Sequence, residues 1–460
     1  MVEAIANGIE DKLIDGLSFK MTPGASYVVD RRSVTYHPQG SNIYKVGAGT
    51  KLIRILLTGD NWLDPSTLRI MFTLNNDDAT TGKELRPISG PWSFFRRMRI
   101  LAAGQLVEDI DNYNRIHEMM HTMVAKESRE NDAAEAFGQL FDPHKWYSKE
   151  QNASNYDGVD PSKNLVVLFK PLSGLLSQNK MLPIRYAPIT IELELVDTAE
   201  EPVISVPSGI TPIDLSYATG QELTQANCST SWSINNVQVK VDVCTLDNAL
   251  DNSYAQHLLT GKSLPISYNT FVSQMQTIAG QDAPLINVSR ALTRLKSVFV
   301  TLNKDILGDR LKLYGRRNWN DFFSPLSIDN FSRNTVKHNP DGEFEFQLQI
   351  GSKLFPEYPI RSHNEAYYQL KKTLGVQASA VRNFDITPNE YRDNKFILGT
   401  DCEKVLDAGF AGLNTRAGDL MSVEFKFATN TATRLADRIH IVLHSDQILE
   451  IRDSGCQVFD

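Results

Sequence analysis

The second half of this 460-residue chain repeats the order of apolar segments found in its first half. Four segments match at an offset of about 230 residues, and self-similarity of this kind indicates duplicated structural units. Because unrelated segments have no reason to keep one spacing, the matches predict an internal duplication. The pairs are Ile70–Asn75 with Val298–Asn303, Trp92–Phe95 with Trp319–Phe323, Asn164–Leu168 with Asn394–Leu398, and Ile191–Leu195 with Val423–Phe427.

Most of the apolar segments have the character of β-strands. They are short, rich in β-branched or aromatic residues, and bounded by Gly, Pro, Asn or Asp. In Ile189–Val196, apolar residues alternate with Thr190, Glu192 and Glu194, which is typical of a strand with one buried and one solvated face. Helical spacing is limited to Asn112–Val124, Asn248–Leu259 and Ser362–Leu374.

These patterns predict an all-β protein made of two tandem eight-stranded antiparallel jelly rolls, with a few helices in the connections. A seven-stranded immunoglobulin-like sandwich is disfavoured, since the connections at 125–163 and 197–231 are far longer than its turns. The expected division is an N-terminal amphipathic arm at 1–22, jelly roll 1 at 23–245 and jelly roll 2 at 246–460.

Composition restricts the class of function. A net charge of −8 argues against a protein that coats nucleic acid over a broad surface, and no sequence-specific nucleic-acid partner is expected. Four cysteines without a C-x-x-C pair fit a reducing compartment. The N-terminus has acidic residues where a signal peptide would be basic, so we expect no secretion by that route.

Two tandem jelly rolls, together with the LPIRYAPI segment (182–189) that leads into the alternating strand, resemble the double jelly-roll major capsid proteins of icosahedral double-stranded DNA viruses. The likeness is greatest to the compact versions in Polinton-like viruses, adintoviruses and virophages. It covers the chain from about Thr22 onward and lies in segment order rather than in a short motif.

The resemblance implies a homotrimer in which six jelly rolls form a pseudo-hexagonal capsomer of the virion shell. The implied partners are neighbouring capsomers, penton proteins and minor or cement proteins, and indirect contact with the genome or an internal membrane stays open. The protein is expected to be made in the host cytoplasm or nucleus. We expect it to have no cofactor and no enzymatic activity.

Two groups of apolar residues are candidates for subunit interfaces. Within the N-terminal arm, apolar residues recur every four positions, as in a short amphipathic helix: Ile5, Ile9, Leu13 and Leu17. Large aromatic residues recur in both halves: Trp92, Phe94, Phe95, Trp319, Phe322 and Phe323. We expect core or interface packing for these aromatics, although a glycan-binding platform of a viral spike or other double-β module is an alternative.

A zinc peptidase is the other alternative, because His117-Glu118-Met119-Met120-His121 is a literal H-E-x-x-H. On a helix, the two histidines would share a face and bind zinc while the glutamate polarises water. No third ligand follows at metzincin spacing, and the corresponding segment of the second half, His363–Tyr368, lacks the motif. We therefore favour a structural helix with two surface or interface histidines and no metal.

Overall fold

The computed structural model describes residues 28–47, 50–138, 158–205, 228–303, 319–320, 322–325, 343–375, 386–393, 395–404, 412–416, 420–427 and 435–459. Within these ranges the chain forms four antiparallel sheets, two from each half. None of the helices in these ranges is long and apolar enough to cross a membrane.

The first half contributes ten strands and a few short helices. The strands are β1 (Val28–Tyr36), β2 (Ile43–Tyr44), β3 (Leu52–Leu57), β4 (Trp62–Asn76), β5 (Phe95–Ala102), β6 (Gln105–Asp111), β7 (Asn164–Phe169), β8 (Leu182–Pro183), β9 (Ile189–Leu195) and β10 (Trp232–Leu246). A 3-10 helix (Pro91–Phe94) precedes β5, and the α-helices are α1 (Tyr113–Thr122) and α2 (Lys126–Glu135).

The second half begins with a helix and then forms nine strands. The helices are α3 (Asn248–Leu259), α4 (His363–Thr373) and α5 (Pro388–Asp393). The strands are β11 (Leu264–Thr277), β12 (Leu285–Val288), β13 (Leu295–Asn303), β14 (Glu345–Ile350), β15 (Lys353–Ile360), β16 (Ile397–Asp401), β17 (Met421–Lys426), β18 (Arg438–Arg452) and β19 (Gly455–Phe459).

The two halves have the same sheet topology. One sheet has the order β1-β10-β4-β7 in the first half and β11-β18-β13-β16 in the second, and the other has the order β3-β9-β5-β6 and then β12-β17-β14-β15. In the first half Phe72 of β4 meets Phe95 of β5 edge-on at 5.6 Å, so the two sheets pack face to face. The predicted pair of eight-stranded jelly rolls is confirmed.

The sequence matches fall on topologically equivalent segments. Ile70–Asn75 lies in β4 and Val298–Asn303 in β13. The remaining strand matches lie in β7 and at the start of β16, and in β9 and β17, with Phe427 one residue beyond β17. The aromatic segments both follow the strand at the equivalent position. Asn394, which begins one match, lies outside the described residues.

Strand β9 shows both the strength and the limit of the alternation pattern. Its apolar residues Ile189, Ile191, Leu193 and Leu195 are all buried, as predicted. On the opposite face, however, Glu192 is also buried, since the guanidinium groups of Arg54 and Arg99 cover its carboxylate. The expected solvated face is therefore a network of ion pairs at this position.

The predicted helices are confirmed, and local capping explains two of their starts. The Asp247 side chain accepts a hydrogen bond from the Ala249 N–H at the start of α3, and the Ser362 hydroxyl accepts one from the Glu365 N–H at the start of α4. Helix α2 was not expected from the sequence, because its residues have almost no apolar face.

Candidate functional site

The H-E-x-x-H segment lies on α1, and all three of its key side chains surround the indole of Trp92. The His117 ring stacks on the indole with 4.1 Å between ring centroids and an angle of 15°, and the His121 ring centroid lies 4.6 Å from it. The indole thus occupies the space beside both imidazoles, where a zincin would hold its metal.

The Glu118 carboxylate is a hydrogen-bond acceptor for two buried donors. Its Oε2 atom accepts from the Trp92 indole N–H at 2.9 Å and from the Ser89 hydroxyl. Both donor side chains and Glu118 itself are buried. The carboxylate therefore provides the acceptor that these two buried donors need.

The expectation of surface or interface histidines is wrong for His117. Its side chain is buried, Nδ1 lies 3.1 Å from the Tyr113 hydroxyl, and burial lowers its pKa well below the usual value, with a smaller effect of nearby His121. Within the described ranges, no three His, Cys, Asp or Glu side chains are grouped so that they could hold a metal ion.

The repeated aromatic residues lie in the interior of a single chain rather than at a subunit contact. All six are buried: Trp92, Phe94, Phe95, Trp319, Phe322 and Phe323. Phe94 and Phe95 pack against Phe72, so they fill the space between the sheets. Their burial fits core packing, one of the two roles expected for them, and they are not accessible as a sugar-binding platform.

Trp319 does form an interface, but an internal one between the two jelly rolls. Its indole N–H donates to the Glu201 carbonyl at 2.8 Å, and the Arg115 guanidinium lies 5.6 Å from its ring centroid. The neighbouring Asn320 amide donates to the Ile88 carbonyl at 2.9 Å. Trp319 and Asn320 therefore attach the second unit to the first.

A second internal contact joins β6 of the first unit to β11 of the second. The Tyr268 hydroxyl donates to the Val107 carbonyl at 3.0 Å, and the Ser273 hydroxyl donates to the Asp111 carbonyl at 2.9 Å. Beside this contact, the chain passes so closely that a Cβ atom on Gly174 would lie 1.6 Å from the Asn269 carbonyl oxygen. Only glycine fits at that position.

The buried carboxylate of Glu108 lies within this contact and is 1% exposed. It accepts hydrogen bonds from the Ser173 hydroxyl, from the backbone N–H of Gly174 at 3.0 Å, and from the Thr270 side chain of the second unit. Burial raises the pKa of Glu108 to about 7, although these hydrogen bonds act in the opposite direction. No feature of the sequence indicates this burial, since a glutamate in Gln105–Asp111 resembles any exposed strand residue.

The basic cluster at 96–99 is neutralised by nearby carboxylates. Arg97 forms a bidentate pair with Asp109 at 2.7 and 2.6 Å, and Arg96 pairs with Asp197. The remaining arginine of the cluster pairs with buried Glu192, as described for β9. The cluster therefore offers no free positive surface to a nucleic acid.

Two other sequence features lie outside the described residues. They are a second basic cluster, Arg316-Arg317, and the N-terminal arm with Ile5, Ile9, Leu13 and Leu17.

Comparison with solved structures shows that the chain has the fold of double jelly-roll viral capsid proteins. The crystal structure of PBCV-1 VP54, fitted into a cryo-EM reconstruction of the virophage Sputnik, matches with a TM-score of 0.59 and 12% identity, covering 96% of this chain and 100% of that one. The cryo-EM structure of the Sputnik virophage matches with a TM-score of 0.57 and 9% identity, over 96% and 90% of the two chains.

The Faustovirus major capsid protein is also similar, with a TM-score of 0.56 and 9% identity over 95% of this chain and 94% of that one. No protein-family model matches the sequence, and no curated protein sequence does. Similarity at such low identity is a similarity of fold, and its coverage of this chain spans both jelly rolls.

Proposed function

We propose that this chain is the major capsid protein of an icosahedral double-stranded DNA virus. The observation that supports the proposal is the occurrence of two jelly rolls of identical strand order in one chain, matched over nearly the full length of viral capsid proteins. The protein would act by assembly, in which apolar surface is buried between copies of the chain, with no reaction and no cofactor.

The functional unit of this proposal is a homotrimer. Three copies of a chain with two similar jelly rolls supply six similar blocks, which close a six-sided tile with cyclic symmetry. We take 1–22 as an arm, 23–245 as the first block and 246–460 as the second. The partners are neighbouring capsomers, penton proteins and minor capsid proteins, and the location is the virion shell after synthesis inside the host cell.

The zinc peptidase and glycan-binding alternatives lack support from the described side chains. Glu118 is engaged by Trp92 and Ser89, and the aromatic residues that suggested a sugar platform are buried. Metal analysis of the purified protein separates the peptidase alternative, which requires about one zinc per chain that a chelator removes.

Mass measurement in solution and negative-stain electron microscopy test the capsid proposal. We expect particles of three times the 51.6 kDa chain mass, which appear as six-sided tiles and assemble into closed shells. A stable monomer at micromolar concentration that never forms larger species would contradict the proposal.

A further inference from the structure

Each strand in the contact between the two jelly rolls has an equivalent strand in the other unit, and these equivalents, β1 and β15, are largely exposed within the described part of the chain. Inside the chain, β6 of the first unit contacts β11 of the second through the Tyr268 and Ser273 hydrogen bonds. By topology, β15 is the equivalent of β6, and β1 is the equivalent of β11. This contact is heterologous, so its repetition would join β15 of one copy to β1 of the next.

The strand register aligns β1 with β11. Val239 of β10 lies opposite Ile70 of β4, and Leu443 of β18 lies opposite Val298, the equivalent of Ile70 in β13. The pairing of β1 with β10 and of β11 with β18 then defines equivalent positions along the two strands. The resulting counterparts are Asp30 and Ile266, Arg32 and Tyr268, and Val34 and Thr270.

These counterparts differ in burial. Ile266, Tyr268 and Thr270 on β11 are all buried. On β1, by contrast, Asp30 and Arg32 are exposed and Val34 is half-buried, and Val29 is 65% exposed although it is apolar. Strand β1 thus aligns with the docked strand β11, but its corresponding residues are exposed or half-buried within the described part of the chain.

Strand β15 is the matching surface on the other unit. Glu108 of β6 lies opposite Ile100 of β5, and Phe355 of β15 lies opposite Leu348 of β14, so Phe355 takes the place of the buried Glu108. Around Phe355, Leu354 is exposed, and Tyr358 is 77% exposed despite its large ring. Large aromatic residues that are exposed to solvent on an edge strand are typical of a protein–protein interface.

One exposed residue on each strand offers a complementary pair of charges. Arg32 of β1 and Glu357 of β15 are both exposed. Within the described part of the chain, neither side chain belongs to an ion pair. Glu357 lies two residues from Phe355, the equivalent of Glu108, and inside the chain Tyr268, the counterpart of Arg32, bonds to Val107 directly beside Glu108.

We propose that β1 of one copy docks on β15 of a second copy of this chain, with Arg32 beside Glu357 and with Val34 and Tyr358 in the apolar part of the contact. The inference rests on the proposed capsid function and specifies the surface that closes its trimer. Since each copy has one such surface of each kind, every jelly roll in the ring contacts both neighbours in the same manner.

The test is a charge exchange measured by mass in solution across a dilution series. We expect Arg32→Glu and Glu357→Arg each to raise the concentration at which the trimer dissociates about tenfold, because each places like charges in the contact. The combined variant restores the opposite charges and should return to the wild-type value. Arg290→Glu is the matched control, because Arg290 is exposed just beyond β12, at the other edge of the β15 sheet.

The outcomes separate the inference from the proposed function. Rescue by the combined variant supports the contact. Single variants that dissociate like the Arg290→Glu control overturn it, as does disruption without rescue, while a trimeric wild-type protein leaves the capsid proposal standing. A wild-type protein that is monomeric at every concentration and forms no particles contradicts the capsid proposal itself. Circular dichroism of each variant verifies folding, which exposed charge changes leave intact.

Discussion

Replacement of Glu108 by Gln should remove a specific component of the pH dependence of stability. The pKa of Glu108 is raised from 4.5 to about 7 in the folded chain. The folded state therefore binds the proton more tightly than the unfolded state. Its contribution to stability is fully present below pH 4.5 and is lost as the pH rises through about 7.

The magnitude follows from the size of this shift. Integration of the proton linkage between pH 5 and pH 8 gives a loss of about 2.5 kcal/mol in the free energy of unfolding. No allowance for solvent screening is needed, because the carboxyl group is almost fully buried. The glutamine side chain has nearly the same shape and does not titrate, so the variant should lack this loss.

The assay is urea unfolding of wild-type protein and the Glu108→Gln variant at both pH values. The difference between the two proteins isolates Glu108 from other groups. Burial lowers the pKa of His440 and of His444 to about 3, and these residues act in the opposite direction, since their contribution is lost as the pH falls below 6.5.

Parallel pH profiles for the two proteins would refute the reasoning, because they would mean that Glu108 titrates alike in the folded and unfolded states. Glu127→Gln serves as the control, since Glu127 is an exposed residue in the first turn of α2 and is not among the residues described in the contact of the two units. This control variant should reproduce the wild-type pH profile. A constant offset between wild type and Glu108→Gln reports only the altered hydrogen bonds and does not bear on the titration.

Three further changes have defined outcomes. Glu118→Ala should lower the free energy of unfolding, measured with urea, by about 2 kcal/mol, since the Trp92 N–H loses its buried acceptor. Glu118→Gln keeps an acceptor oxygen, so it should lower this free energy by about 1 kcal/mol or less. Gly174→Ala should cost at least about 3 kcal/mol, because its Cβ would overlap the Asn269 carbonyl oxygen. Deletion of 1–20 should leave trimers intact by mass measurement but lower the yield and heat resistance of assembled particles.

Each of these changes has a result that would contradict it. Equal unfolding midpoints for Glu118→Ala and Glu118→Gln would mean that the Trp92 hydrogen bond adds nothing to stability. Wild-type stability in Gly174→Ala would show that the two units can separate locally at no cost. Unchanged particle yield and heat resistance after deletion of 1–20 would mean that the arm contributes no contact between subunits in the assembled particle.

The periodicity of the sequence determined the class of fold. Strand alternation and turn residues are local properties, and a duplicated order of segments persists in any structure that the chain adopts. For this reason the matches in β4 and β13, β7 and β16, and β9 and β17 were found without a structure. The β5–β6 hairpin was missed, since Arg96, Arg97 and Arg99 interrupt the apolar pattern and become half-buried only through their ion pairs.

Tertiary structure alone decided what the chemically suggestive residues do. A literal H-E-x-x-H on a helix has the same spacing whether it faces solvent or the interior, and only the packing of Trp92 against it shows the second case. The same holds for Glu108, whose pKa is raised by burial among segments distant in sequence, although the hydrogen bonds from Ser173, Gly174 and Thr270 act in the opposite direction. Side-chain burial depends on contacts between remote segments. The sequence therefore shows which residues share a helix or strand face, whereas only the fold shows whether that face is buried and how its pKa values shift.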